Sequence, residues 1–399
     1  MRWATEILVT EVLTIPSRHE EEWRWSKLDA LRALADAPHG TAIAADAHFI
    51  GLGGPRLVFI DGVLDAAHST PGRVSIEPLA LTTDHSLGKQ AAGPGWQLSL
   101  DTDQASDAIE IVHIATGGAN HLPARITIGE DAAASIVETY VGTGWSNRLT
   151  QISLARSARL MRSVRLLQSS GFVSIRDEAE IGEGASLVSI FLGAGGMDCR
   201  IDGALHCTGA AAYAEMGGAL LTQGEQNQEC AVVLRHDALD GQSHQTWRAV
   251  AKDRSTASLA ARVEVARGAQ KTDGEQSLRG LLLDRTSTIN LKPELEIFAD
   301  DVKCAHGATV GELDKTALFY LASRGITPPR ATALLTRAFV ADAIGRIGDA
   351  HGSSLSDPGD QTAAMRVRDA FAADADRWLE AALQSPSRSR EGSGEGMSE

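Results

Sequence analysis

The sequence predicts a mainly β protein whose core is a long stack of short strands, and three observations predict it. Between about residues 100 and 304, stretches rich in Ile, Val, Leu and Thr recur about every ten residues, among them "IEIVHIA", "ASIVETYVG", "ASLVSIFLG" and "ECAVVLRHD". Many alternate with period two, and Gly, Asp or Asn separates them. Over the same span no convincing long helix intervenes. There is also an internal echo: "ITIGEDAAASIV" (126–137) and "AEIGEGASLVSI" (179–190) share Ile-Gly-Glu-x-Ala ahead of small and then aliphatic residues. That is one turn-plus-strand unit used twice. The pattern suits a β-solenoid, a sandwich or a barrel. The solenoid is favoured because the array is long and hairpin pairs are few, Asp202-Gly203, Asp240-Gly241 and Asp273-Gly274 being the exceptions; a large sandwich fits almost as well.

Taken in order, residues 1–95 read as a mostly helical domain with mixed strand signals. "PSRHEEEWRWSKLDALRALAD" opens on Pro16 and Ser17 as turn and cap, then carries Trp23, Leu28, Leu31 and Leu34 at mostly helical spacing. "RLVFIDGVLD" predicts a hairpin turning at Asp61-Gly62. Residues 96–311 are the strand stack. Residues 312–384 switch to helical period. "LDKTALFYLASRG" places Ala317, Leu318 and Leu321 on one face, with Gly325 past its end. "TPPRATALLTRAFVADAIGRI" has Thr327 as cap, Pro328 in the first turn, and Leu334, Leu335, Ala338 and Phe339 as an apolar stripe. The last helix carries Met365, Phe371, Trp378 and Leu379, after a loop "GDAHGSSLSDPGD". Residues 385–399 form a Ser/Gly/charge tail expected to be disordered.

With 399 residues, 43% hydrophobic and 22% charged, the composition is that of a globular protein. A net charge of −15 argues against nucleic acid, which takes a basic face, and against anionic membranes. No apolar run reaches the roughly 18 residues of a membrane span. "MRWATEILVTEV" has acids inside its apolar stretch and no cleavage site, so a cytoplasmic chain with reduced thiols is expected. The four cysteines form no C-x-x-C pair.

Catalytic apparatus is thin. There is no Walker loop, no G-x-G-x-x-G between strand and helix, no H-E-x-x-H and no G-x-S-x-G. A solenoid lyase or glycosidase needs carboxylates on one sheet face; Asp198, Asp202 and Asp237 are candidates, though solvated turn acids are the simpler reading. Cys199, Cys207 and Cys230 read as buried structural thiols, His236 and His244 as surface imidazoles, and "EEWRWSKL" as a packing or docking helix. The stretch that stands apart is "FADDVKCAHGATVG" (298–311). Cys304 and His306, two apart, share one face of an extended chain. Together they supply at most half of a tetrahedral metal site, and a buried thiol beside a surface imidazole is the plain alternative. Asp300 and Asp301 upstream could attract a cation or be ordinary strand-end acids.

"KPELEIFADDVKCAHGATVGELDKTALFYLASRGI" (292–326) closely resembles the C-terminal signature of the SufB/SufD family of iron–sulfur cluster assembly scaffold proteins, on its SufD side. "PSRHEEEWRWSKLDAL" and "ITIGEDAAASIVETYVG" resemble its N-terminal segment and core. The resemblance implies a right-handed parallel β-helix between helical domains and a non-catalytic scaffold of the SUF system. It implies a SufB-like paralogue paired through the β-helix and a SufC-like ABC ATPase bound by the C-terminal helices, with a homodimer open to the chain alone. It places a transient Fe-S cluster or iron at the paralogue interface, with His306 and Cys304 as candidate ligands. The family's complex also takes reduced flavin, for which this chain shows no motif. A stand-alone β-helix carbohydrate-active enzyme is the alternative.

Overall fold

The corners set the architecture. In the computed structural model, which describes residues 15–17, 19–348 and 358–384, the chain turns at Asp103, Asp131, Ser157, Gly184, Ala211, Asp240 and Lys271, all left-handed with φ between 55° and 60°. These residues stack in one column. The amide of Asp131 bonds Arg156 O at 3.0 Å, Ser157 bonds Glu183 O at 2.8 Å, Gly184 bonds Ala210 O at 2.8 Å, and Ala211 bonds Leu239 O at 2.9 Å. Asp and Gly accept this conformation most readily, which is why they recur there. Asp131 and Gly184 are the central positions of the two echoing sequences, so the echo is the corner of one coil repeated two coils later.

Between corners run strands. β1 (Arg56–Ile60), β2 (Val63–Leu64), β3 (Val74–Leu79) and β4 (Gly93–Leu100) start the molecule. β5 (Ile109–Ile128) and β6 (Ala133–Leu154) are long enough to bend from one face to the other. The coils continue as β7 (Arg159–Leu166), β8 (Ser170–Ile181), β9 (Ser186–Gly193), β10 (Asp198–Cys207), β11 (Tyr213–Thr222) and β12 (Asn227–His236). They finish as β13 (Gln242–Ala251), β14 (Thr256–Val265), β15 (Asp273–Leu282), β16 (Thr288–Ile297) and β17 (Lys303–Glu312). Pairing is parallel and skips one strand: β8, β10, β12, β14 and β16 make one sheet, and β7, β9, β11, β13, β15 and β17 the other. The result is a parallel β-solenoid, not a sandwich.

Register stacks like on like. Ile175, Ile201, Cys230, Leu259 and Leu291 form one inward column. Each buried aliphatic contributes roughly 1.5–3 kcal/mol, and the columns fill the space between the sheets. Close coil contact demands glycine where the long strands bend. A Cβ on Gly142, at φ 89°, would lie 1.9 Å from Ala115 O, and one on Gly171, at φ 91°, 2.1 Å from Gly144 O.

Each sheet has an outer coat. α1 (Leu31–Ala35) belongs to the N-terminal segment, α2 (Lys315–Ser323) follows β17, and α3 (Pro328–Ile344) and α4 (Pro358–Gln384) pair with each other. Val340, Ile344, Phe371, Trp378 and Leu379 bury against Val188, Ile190 and Leu221 on the outside of the β7–β17 sheet. Three ion pairs pin this layer: Arg165–Asp374 at 3.1 Å, Arg248–Asp342 at 3.0 Å and Arg346–Glu215 at 2.7 Å. On the other sheet, Trp23, Leu28 and Leu31 pack with Leu87, Trp145 and Phe172.

Several expectations are corrected here. Residues 1–95 are not mostly helical: their described part holds one five-residue α-helix, short 3-10 turns and strands. "EEWRWSKL" gives only a 3-10 turn over Glu21–Trp23, because Trp23 is held by the sheet beneath and not by a helix of its own. The Asp61-Gly62 hairpin forms as expected, with Phe59 opposite Leu64. Asp202-Gly203 and Asp273-Gly274 lie within strands and turn nothing, and Asp240 is a coil corner. The tail at 385–399 and the core of the loop before α4 lie outside the described residues.

Candidate functional site at the open end of the solenoid

The first coil is closed by the β1–β2 hairpin and by β3 laid antiparallel on β4. The last coil has no such cover among the described residues. β16 pairs only with β14 and β17 only with β15, so one edge of each strand is bare. Nearly every residue of β17 is exposed. The end of the core shows there: Ile289, Leu291 and Leu295 are only partly buried, and Phe298 and Val310 are exposed. Such edges and apolar ends are pairing surfaces.

Cys304 and His306 stand on this strand, on the same face as their spacing requires. Cys304 is half-buried against the core, with Gly274 directly behind it; a Cβ on that glycine would lie 3.4 Å from the Cys304 sulfur. Partial burial raises the thiol's pKa, the Gly274 amide opposing and Asp273 adding to the effect. The group is therefore a neutral thiol at neutral pH, and a bound cation or a partner's charge would have to draw the proton off. His306 is exposed, and register places it over the buried Gln276. Among the described residues no three His, Cys, Asp or Glu side chains converge as a metal site, so the pair by itself has the chemistry of half a ligand set. Asp301 belongs to the corner column instead: its carbonyl accepts from Lys271 N and its amide bonds Gln270 at 2.9 Å.

The other candidates resolve structurally. Cys199, Cys207 and Cys230 are buried, and burial pushes the Cys207 thiol up to about 12. His236 is not a surface group: it faces inward over Cys207, bonds Ser243 Oγ at 2.9 Å, and burial lowers its pKa to about 4. His244 is partly exposed, 3.8 Å from Glu275. Asp202 is no solvated turn acid. It lies within β10, gripped by Arg200 Nε and Nη2, each at 2.7 Å, and by His85 at 3.0 Å. Arg200 also bonds Glu229 at 2.9 Å and lies 3.9 Å over the Trp23 ring, tying the N-terminal segment to the sheet. Asp237 bonds His206 and Arg235, and Asp198 caps Asn227 N at 2.7 Å. With Asp202 sealed, these carboxylates do not form a free set for glycosidic chemistry.

Sequence reasoning missed a second cluster, inside the early coils. Arg162, fully buried, bonds Glu138 at 2.6 Å and Asp177, while His113 Nε2 lies 3.0 Å from Glu138, and the His113 ring stacks between Phe59 and Tyr140. The signal was present: in "ASIVETYVG", Glu138 shares the inward parity of Ile136 and Tyr140. Just after the open end, α2 is capped by Asp314, whose carboxylate accepts from Thr316 N at 2.8 Å. It buries no residue, and Phe319 is 75% and Tyr320 57% exposed. No described helix is long and apolar enough to cross a membrane.

Residues 113–339, more than half of the chain, match the family model described as SUF system FeS cluster assembly, SufBD core domain. The iron-sulfur cluster assembly protein SufD of Escherichia coli (strain K12) is 26% identical over 361 residues, covering 82% of this chain and 84% of that protein. An iron-sulfur cluster assembly SufBD family protein of Synechocystis is 22% identical over 384 residues, 84% of each. Protein ABCI7, chloroplastic, of Arabidopsis thaliana is 30% identical over 232 residues, 55% of this chain and 48% of that protein.

Proposed function

The chain belongs to the SufBD family of the SUF iron–sulfur cluster assembly system, and from that premise we propose that it is a non-catalytic scaffold subunit. Its open solenoid end takes a SufB-like paralogue, and the joint between them holds iron or a nascent cluster as cargo. The observation that carries this reading is the juxtaposition on β17: a bare strand edge, an exposed apolar core end, and the Cys304–His306 half-set. A sister edge strand would satisfy the free backbone groups by β-augmentation. The same contact would exclude water and bring the missing ligands. Cysteine sulfur and imidazole nitrogen suit iron and its clusters.

Energy for assembly would come from a SufC-like ATPase docked on the C-terminal helices. The unburied α2, with Phe319 and Tyr320, supports that placement. Because α2 follows β17 after only two residues, a pull on α2 would act on the strand that bears Cys304 and His306.

His306→Ala in the chain co-expressed with both partners tests the reading. The expected result is an intact complex whose cluster absorbance falls at least about tenfold, as loss of a metal ligand or its support does. Full absorbance in that complex would remove the open end as the cargo site.

A further inference from the structure

Two buried glutamines repeat one arrangement beneath His306. Gln245 on β13 donates its side-chain amide to Arg262 O at 3.1 Å, across the interior. One coil later, Gln276 on β15 donates to Glu294 O at 3.2 Å. Arg262 and Glu294 are themselves register partners, so the two bonds are the same bond one coil apart. A backbone carbonyl only accepts, so each amide nitrogen must face it and each amide oxygen must point elsewhere. Both oxygens are buried with no hydrogen-bond partner, and Gln276 is only 1% exposed. An unpaired buried acceptor costs roughly 1–3 kcal/mol, so such a group calls for a donor.

Parallel register names the donor. Gln245, Gln276 and His306 are successive members of one inward-facing column. Neighbouring strands lie about 4.8 Å apart, within reach of a glutamine and an imidazole. His306 is the last rung, on the side of Gln276 away from Gln245. We propose that Gln276 is a positioning residue: its amide oxygen accepts a hydrogen bond from one His306 ring N–H, leaving the other nitrogen unprotonated and aimed out of the open end. Metal-binding histidines generally need such a fixed tautomer. Gln276 thereby turns an exposed imidazole into an oriented ligand. The inference rests on the cargo site proposed above, but its test is independent of that site.

The test uses the full chain with 15N-labelled histidine; the signal of His306 among the 12 histidines is assigned by its loss in His306→Asn. In the wild type the ring nitrogens are expected to report one dominant N–H form. Gln276→Leu removes the acceptor and with it the bond to Glu294 O, so it is expected to fold with a modestly lowered melting temperature, and the His306 signals move to those of a free imidazole. Identical His306 ring-nitrogen signals in wild type and Gln276→Leu would overturn the proposal, whatever the cluster assay gives. In the co-expressed complex, Gln276→Leu is expected to weaken iron retention by about 10-fold to 100-fold. Loss of the tautomer bias with full iron retention would instead sink the positioning role and leave the contact standing.

Discussion

The early coils and the last coil present polar side chains from the same inward-facing positions, and they treat them in opposite ways. Around β6 to β8 an entire ion cluster is sealed inside: Arg162 holds Glu138 and Asp177, and His113 is clamped between Phe59 and Tyr140. Burial alone would raise the Glu138 pKa, but Arg162 and His113 hold it well below the ordinary carboxylate range. Asp177 shares the same guanidinium, yet burial prevails there and keeps its carboxyl above the ordinary value. At β17 the polar pair has a coil behind it and, among the described residues, nothing in front. The difference teaches how a stacked fold makes a site. A coil in the middle of the stack has neighbours on both sides for its interior groups, although some, such as the Gln245 amide oxygen, stay unpaired; the terminal coil has a neighbour on one side only. What would be a defect in the middle of the stack is, at its end, the surface proposed above to bind.

The sharpest way to break this comparison is to remove the sealed cation. Arg162→Ala strands Glu138 and Asp177 without a counter-charge and is expected to lose about 3–5 kcal/mol, read as a large drop in melting temperature or as insoluble protein. The same truncation at the exposed His306 should cost the isolated chain no more than its one proposed bond to Gln276, about 1 kcal/mol. An Arg162→Ala chain as stable as the wild type would mean that the interior charges are not held as described.

Acid provides a second, graded test. His113, His121 and His236 all have their pKa lowered to about 4, burial being the first cause in each. The unfolded chain binds those protons near pH 6.5, so the unfolded state gains protons first as pH falls. Stability should therefore be level above about pH 6.5 and decline between 6.5 and 4, by up to about 1.4 kcal/mol per pH unit for each histidine. Glu138 adds to the loss only below about pH 4, where its unfolded form is protonated and its folded form is not. Denaturation midpoints from pH 4 to 7.5 measure the slope, and His236→Gln should reduce it.

Glycines sharpen the comparison with smaller effects. Gly171→Ala forces a Cβ against Gly144 O at a positive φ, and about 1–3 kcal/mol should be lost. A Cβ added at Gly307 on β17 would meet nothing within 4 Å, so Gly307→Ala should change the isolated chain by no more than about 0.5 kcal/mol. A larger effect of Gly307→Ala, seen only in the assembled complex by loss of co-purification, would locate the sister strand against it.

Much of the fold was legible because the solenoid writes its geometry locally. The corner needs one left-handed residue per coil, and the Gly-Glu-Asp and Gly-Glu-Gly turns announce it. Cys304 and His306 were legible for the same reason, since strand parity needs no tertiary knowledge. The rest depended on what packs on what. Trp23, Leu28, Leu31 and Leu34 have near-helical spacing, yet Trp23 is fixed by Arg200 from a strand far away in the chain, and only Leu31–Ala35 is α-helical. In α3 the expected stripe of Leu334, Leu335, Ala338 and Phe339 is not the most buried one; Ala331, Thr336, Val340, Ala343 and Ile344 are, because the sheet below receives that side. Met365 in α4 is likewise exposed, while Phe371, Trp378 and Leu379 are buried as expected. His236 and Asp202 read as surface groups in the sequence because a polar residue near a turn looks solvated until its register is known.

The bare edge of β17 has one more consequence, for the cell that makes the chain. Unpaired backbone amides and carbonyls do not discriminate among extended peptides. A copy whose edge stays bare is therefore a template for joining to any other strand, including another copy of itself. If the paralogue proposed above covers that edge, the ratio in which the two chains are made would set how much of this one stays in solution.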